Sequence, residues 1–124
     1  MADQYRANAK RGEVSFSTLQ QQLIILGLLD ASRYVACEIH AVATEPSHFH
    51  VLASWRGERS GMLVSNSLRG RVKRELNTTE HRRWLARDAS RRQVKSRTHF
   101  EHLMETYLPK HGGLKWNQQQ GIYE

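Results

Sequence analysis

Two histidines one residue apart, His48-Phe49-His50, hold the most chemical information in this chain of 124 residues. On a β-strand, side chains two positions apart leave the same face, so both imidazoles can converge on one metal ion while Phe49 turns into the core. The competing reading is a pair of surface or interface histidines, since the chain has seven. His40 falls on the neighbouring strand and can approach the pair, although a solvated face is the simpler reading for it, and His99 is a less persuasive candidate.

The second chemical signal is charge. The chain has a formal net charge of +7, and it is concentrated. From Arg69 to Arg97, eleven basic residues stand against Glu75, Glu80 and Asp88, so this stretch carries +8 and the rest of the chain −1. Such a field draws polyanions, of which nucleic acid is the commonest, although a solubilising surface would look similar. Arg69, Arg71, Lys73, Arg74, Arg82, Arg83, Arg87, Arg91 and Arg92 are the candidate phosphate contacts. Trp84 and Trp55 are available to stack on an unpaired base if they are not core.

Composition bounds what can position these groups. At 39% hydrophobic and 25% charged, the chain can bury one core and is not disordered. A single cysteine, Cys37, makes no internal disulfide and no zinc ribbon, which suits a reducing, cytoplasmic setting. The longest apolar run, residues 23–29, is too short to span a membrane, and no signal pattern opens the chain.

Periodicity supplies the elements. Residues 1–14 read as a loose arm, with room for a first strand only near Gly12 to Phe16. Ser15 or Ser17 caps a helix from Thr18, and Tyr34 to Thr44 alternates as a strand. Glu45-Pro46-Ser47 forms a tight turn into a second strand, His48 to Trp55, making an antiparallel hairpin. Ser60 caps a helix from Met62 to Leu76. Residues 84–86 form a short strand, Ser90 caps a brief turn, and Thr98 caps a helix to Leu108, ended by Pro109 and Gly112-Gly113. Hairpin-joined strands with helices indicate an α+β fold, a ferredoxin-like antiparallel sheet with helices on one face. The core domain spans 15–116 and a tail spans 117–124.

Three segments in order sharpen this reading. IHAVATEPSHFHVLASW, from Ile39 to Trp55, resembles the strand-turn-strand core of single-tyrosine HUH transposases, and is most similar to the REP-associated tyrosine transposases. RRWLARDASRRQV, from Arg82 to Val94, looks like their Trp and basic stretch. HFEHLMETYLPKHGG, from His99 to Gly113, looks like their tyrosine-bearing helix and the turn after it. The resemblance covers roughly residues 15 to 116.

It implies a specific chemistry. Two histidines and a third polar ligand would hold a divalent ion, Mg²⁺ or Mn²⁺, that polarises a scissile phosphate. Tyr107 would attack, leaving a 5′-phosphotyrosine and a free 3′-OH. A phenol of ordinary pKa about 10 needs that assistance at neutral pH. Family members usually carry Gln or Asn one helical turn after the tyrosine. His111 stands four residues after Tyr107, with Pro109 between them to disturb the spacing. A second register puts the tyrosine slot near His102 with Thr106 a turn later, and Glu105 and His102 are further ligand candidates. The expected function is nicking and rejoining of single-stranded hairpin DNA; the alternative is a relative that binds hairpin nucleic acid without cutting it. By resemblance, a homodimer is expected.

Overall fold

A computed structural model describes residues 2–10 and 14–124. Its order is β1 (Ala2–Ala9), α1 (Thr18–Val35), β2 (Glu38–Glu45), β3 (His48–Ser54), α2 (Gly61–Leu76), β4 (Leu85–Val94), α3 (Arg97–His102), a π-helical turn (Leu103–Tyr107), β5 (Lys115–Asn117) and β6 (Gly121–Tyr123). The strands form one sheet in the order β4-β1-β3-β2-β5-β6, and every neighbouring pair is antiparallel. Its first four strands and two long helices have the ferredoxin-like β-α-β-β-α-β arrangement, so the fold is α+β as expected.

Local chemistry explains the helix boundaries. Ser17 accepts from the Gln20 amide while the Gln20 side chain accepts from the Ser17 amide, a reciprocal capping box that satisfies two otherwise orphaned donors. Ser60 caps α2 through the Leu63 amide. Ser96, not Thr98, caps α3, accepting from the His99 amide. α1 runs on to Val35 and ends at Ala36 in the left-handed region, so β2 begins at Glu38 and not at Tyr34.

The arm expected over residues 1–14 is instead largely β1, paired on both edges between β3 and β4. Its inward face is Asp3, Tyr5, Ala7 and Ala9. Only Tyr5 there is large and apolar, which hides the two-residue period from a hydropathy reading. Of the first strand expected near Gly12 to Phe16, Gly12 and Glu13 lie outside the described residues, while 14–17 is irregular. β4 is likewise longer than the 84–86 expected. It passes straight through Ser90, where a cap was expected, because pairing with β1 overrides the polar sequence.

The two sheet faces are covered differently. α1 and α2 pack on one face over Phe49, Val51 and Ala53 of β3, with Ile24, Leu28 and Leu68 among the core side chains. The third helical segment crosses the opposite face, where Leu103 and Leu108 bury against Ala41, Ala43 and Leu52. Helices therefore lie on both faces, the long pair on one and the short segment on the other. Burying each leucine is worth about 1.5–3 kcal/mol, which clamps residues 103–108 over the face that carries His48 and His50. Among the described residues, no helix is long and apolar enough to cross a membrane.

Candidate metal centre and basic cleft

The site follows from strand register. Arg6 pairs with His50 and Asn8 with His48 across β1 and β3, while Ala43 pairs with His50 and Glu45 with His48 across β2 and β3. Directly opposed residues share a face, so Arg6, Glu45, His48 and His50 all project toward the short helical segment. On that segment, the Leu108 amide donates to the Leu103 carbonyl, a wide turn that carries Tyr107 to the sheet. Pro109 ends the helix as expected. The chain then turns back, with the His111 amide donating to the Leu108 carbonyl at 3.3 Å.

This turn brings four rings together. His50 and His111 have centroids 4.6 Å apart, His48 and His50 5.0 Å, and His48 and His111 5.7 Å. Tyr107 lies 5.4 Å from His50 and 5.2 Å from His111. One ligand atom from each of His48, His50 and His111 lies within 4.8 Å of the others. His111 thus reaches the pair by a turn and not by helical spacing.

The hydrogen bonds show which nitrogens are spare. His48 Nδ1 lies 2.9 Å from Ser47 Oγ, and His111 Nδ1 lies 3.1 Å from the Leu108 carbonyl oxygen. His50 Nδ1 lies 3.1 Å from the Gln4 side-chain amide, whose two ends can exchange so that its oxygen accepts from Nδ1–H. The Nδ1 of every ring is therefore held, and every Nε2 remains. His50 Nε2 is fully buried with no hydrogen-bond partner. An orphaned buried nitrogen among imidazoles, each braced at its other nitrogen, fits a metal ligand set.

Electrostatics keep two of these ligands neutral. Burial, followed by the neighbouring His111, His48 and Arg6, pushes His50 down to about 3. His48 is also lowered, first by burial and then by Arg6, with Glu45 opposing. Neutral imidazole is the form that binds metal.

Two buried polar groups hold the His111 turn in place. Lys115 Nζ donates to the carbonyls of His111 and Gly113 at 2.8 and 2.9 Å. Gln21 Oε1 accepts from Thr44 Oγ1 and from the Leu114 amide at 3.1 and 3.0 Å, tying the turn to α1 and β2. A Cβ on Gly113 would fall well inside contact with the Thr44 carbonyl and Gln21 Oε1.

Beside the histidines opens a cleft of about 370 Å³, lined among others by Gln4, Arg6, His50, Arg92, His102 and Tyr107. The basic residues named from sequence divide between places. Arg91 and Arg92 both line this cleft, but the Arg91 guanidinium turns toward Asp3 on the other face, 3.8 Å away. Arg69, Lys73, Arg82, Arg83 and Arg87 line a separate cavity of about 280 Å³. There Arg69 also donates to the Ala86 and Arg87 carbonyls. Arg71 is paired with Asp30 and Glu75 between the long helices, and Arg74 is exposed. Trp84 and Trp55 are buried core residues, so neither offers a stacking face.

Other candidates fall away from the centre. His40 bonds Ser54 Oγ at 2.7 Å and packs on Phe100. Glu105 and Thr106 are exposed and contribute nothing to the histidine group, while the half-buried His99 lines the cleft without joining it. His102 lines the cleft without joining the group. Gln4, Arg6, Glu45 and Lys115 escape a sequence reading. The first two sit in the supposed arm, and the latter two gain meaning only from register.

No family model and no curated protein matches the chain. Solved structures do. The structure of the REP-associated tyrosine transposase bound to a REP hairpin matches with a TM-score of 0.67 at 12% identity, over 83% of this chain and 61% of that one. This chain thus spans about three fifths of that transposase's length. A protein of Deinococcus radiodurans R1, described provisionally as a transposase, matches with a TM-score of 0.68 at 12% identity, over 91% of this chain and 92% of its own. The chain therefore shares the fold of these two structures, as the resemblance of its histidine, tryptophan and tyrosine segments led one to expect.

Proposed function

We propose that the protein is a metal-dependent transposase-type nuclease that cuts and rejoins single-stranded, hairpin-forming DNA through Tyr107. The observation that carries this reading is the Tyr107 ring, 5.4 Å from His50 and 5.2 Å from His111 at the edge of the basic cleft. The hairpin named with one structural neighbour supports DNA as the partner.

His48, His50 and His111 would hold the divalent ion, which supplies Lewis-acid polarisation of a phosphate when bound. Arg6 and Arg92 lead a strand along the cleft by neutralising its phosphates. The Tyr107 oxygen bonds to phosphorus, the bond to the 3′ oxygen breaks, and that oxygen takes up a proton as the phenol loses its own. The Lys110 ammonium, 5.2 Å from the Tyr107 ring centroid, favours the developing phenolate. All four rings come from one chain.

The test is incubation with labelled hairpin single strands and Mn²⁺, followed by denaturing electrophoresis. A covalent adduct formed by the wild type and absent from Tyr107→Phe is the expected result. Tight binding with no adduct under any divalent ion would leave a hairpin binder without nuclease activity.

A further inference from the structure

Glu45 lies beside two of the three imidazoles, those of His48 and His111. It closes β2 directly opposite His48, across the two-residue turn Pro46-Ser47. Its Oε2 lies 3.6 Å from His48 Nε2 and 3.8 Å from His111 Nε2, the two atoms whose rings are braced elsewhere. Two donors about 2.1 Å from one tetrahedral ion are about 3.4 Å apart, so the carboxylate is within a few tenths of an ångström of a coordinating separation from both. Its side chain is 35% exposed, which leaves it room to close that gap.

Charge supports the same placement. Imidazole ligands bring no negative charge to a divalent ion, and the surroundings are basic. Arg6 acts on both His48 and His50, while the Lys115 ammonium is buried under the His111 carbonyl. Glu45 is a carboxylate beside two of the three ligand nitrogens, those of His48 and His111. It offsets the charge an ion would bring.

Resting on the reading of the three histidines as a metal centre, we infer that Glu45 is the fourth protein ligand. The site then takes a first-row transition ion of the Mn²⁺ to Zn²⁺ series in preference to Mg²⁺. Three imidazoles decide the selectivity. Mg²⁺ prefers oxygen donors and keeps its waters, whereas imidazole suits the later ions, and one carboxylate is compatible with all of them.

The test titrates the metal-stripped full chain with Co²⁺ alone, read by visible d–d absorption, and separately with Mn²⁺ and Mg²⁺, read by calorimetry. One Co²⁺ per chain is expected, with Mg²⁺ binding at least ~100-fold more weakly. Glu45→Gln should weaken Co²⁺ at least ~10-fold and change the absorption band, with Glu45→Asp recovering part of the loss. Circular dichroism confirms that each variant is folded. Glu45→Gln and Glu45→Ala both within twofold of wild type would overturn the assignment of Glu45, and Mg²⁺ matching Co²⁺ would overturn the selectivity. His50→Ala separates the histidine centre from its fourth ligand. If it abolishes Co²⁺ binding while Glu45 variants do not, the histidine centre stands and the fourth ligand falls; if it leaves binding unchanged, the centre itself is misassigned.

Discussion

Tyr107 and His111 face each other with ring centroids 5.2 Å apart, although Pro109 stands between them in the chain. An uninterrupted α-helix would place residues four apart on one face, and proline forbids that continuation. Here a π-helical turn followed by a tight reversal achieves the same approach, and the reversal is held from outside by Lys115, Gln21 and Thr44.

Gly113 is where that reversal touches β2. Gly113→Ala must displace either the Thr44 carbonyl or Gln21, and is expected to destabilise the fold by about 1–3 kcal/mol and to weaken metal binding by moving His111. Gly112→Ala meets nothing nearer than Glu45 Oε1 at 4.0 Å, and should be close to neutral. Denaturant unfolding of the two variants side by side checks the contrast. Equal losses would mean that close backbone approach is not what holds the turn.

Lys115 is a positioning residue. Lys115→Met keeps the buried stem but leaves the His111 and Gly113 carbonyls without their donor, at a cost of about 1–3 kcal/mol. Metal affinity should fall by ~10-fold or more, because His111 loses the bond that fixes its backbone. An isothermal titration showing unchanged affinity would show that the turn holds itself.

His50 makes the metal-free protein sensitive to acid. An unfolded histidine takes up a proton near pH 6.5, but the folded His50 resists until about pH 3. The unfolded state therefore binds more protons in that window, so stability is fully present above pH 6.5 and is lost as pH falls toward 3. The loss from this group is up to roughly 4 kcal/mol, and His48 adds in the same direction. Chemical denaturation at several pH values measures the slope. It should flatten in His50→Gln, and a flat wild-type profile would contradict the buried neutral ring.

The basic residues should separate by place. Arg6→Ala and Arg92→Ala are expected to weaken single-stranded DNA binding and each to reduce the salt slope by about 0.7. Arg71→Ala should leave binding unchanged while lowering the melting temperature, since its guanidinium pairs with Asp30 and Glu75. Fluorescence anisotropy across a salt series distinguishes them. Equal effects at all three positions would point to a diffuse basic surface without a path.

Much of this was legible in sequence where side-chain pattern and local chemistry agree. The alternation through His48-Phe49-His50, the Glu45-Pro46-Ser47 turn and the Ser17 and Ser60 caps carry their own signals. β1 does not, because alanines and an aspartate on its inward face mask the period that brings Gln4 and Arg6 beside His50. Ser90 and its arginine neighbours read as a turn for a similar reason, since β4 draws its strand from β1 and not from its own propensity. Charge density likewise gave no direction. Arg71 and Arg92 look alike in a run of basic residues, and only the fold turns one to an ion pair and the other to the cleft.

Under the proposed function, Tyr107 takes a phosphate beside the three histidines. The most direct measurement is proteolysis of the protein after incubation with hairpin single-stranded DNA and Mn²⁺, with mass spectrometry of the nucleotide-bearing peptides. A 5′-phosphonucleotide is expected on the peptide containing Tyr107, absent from His50→Ala and from reactions with chelator. A modified peptide containing Tyr5, Tyr34 or Tyr123 instead, or none despite tight DNA binding, would contradict it.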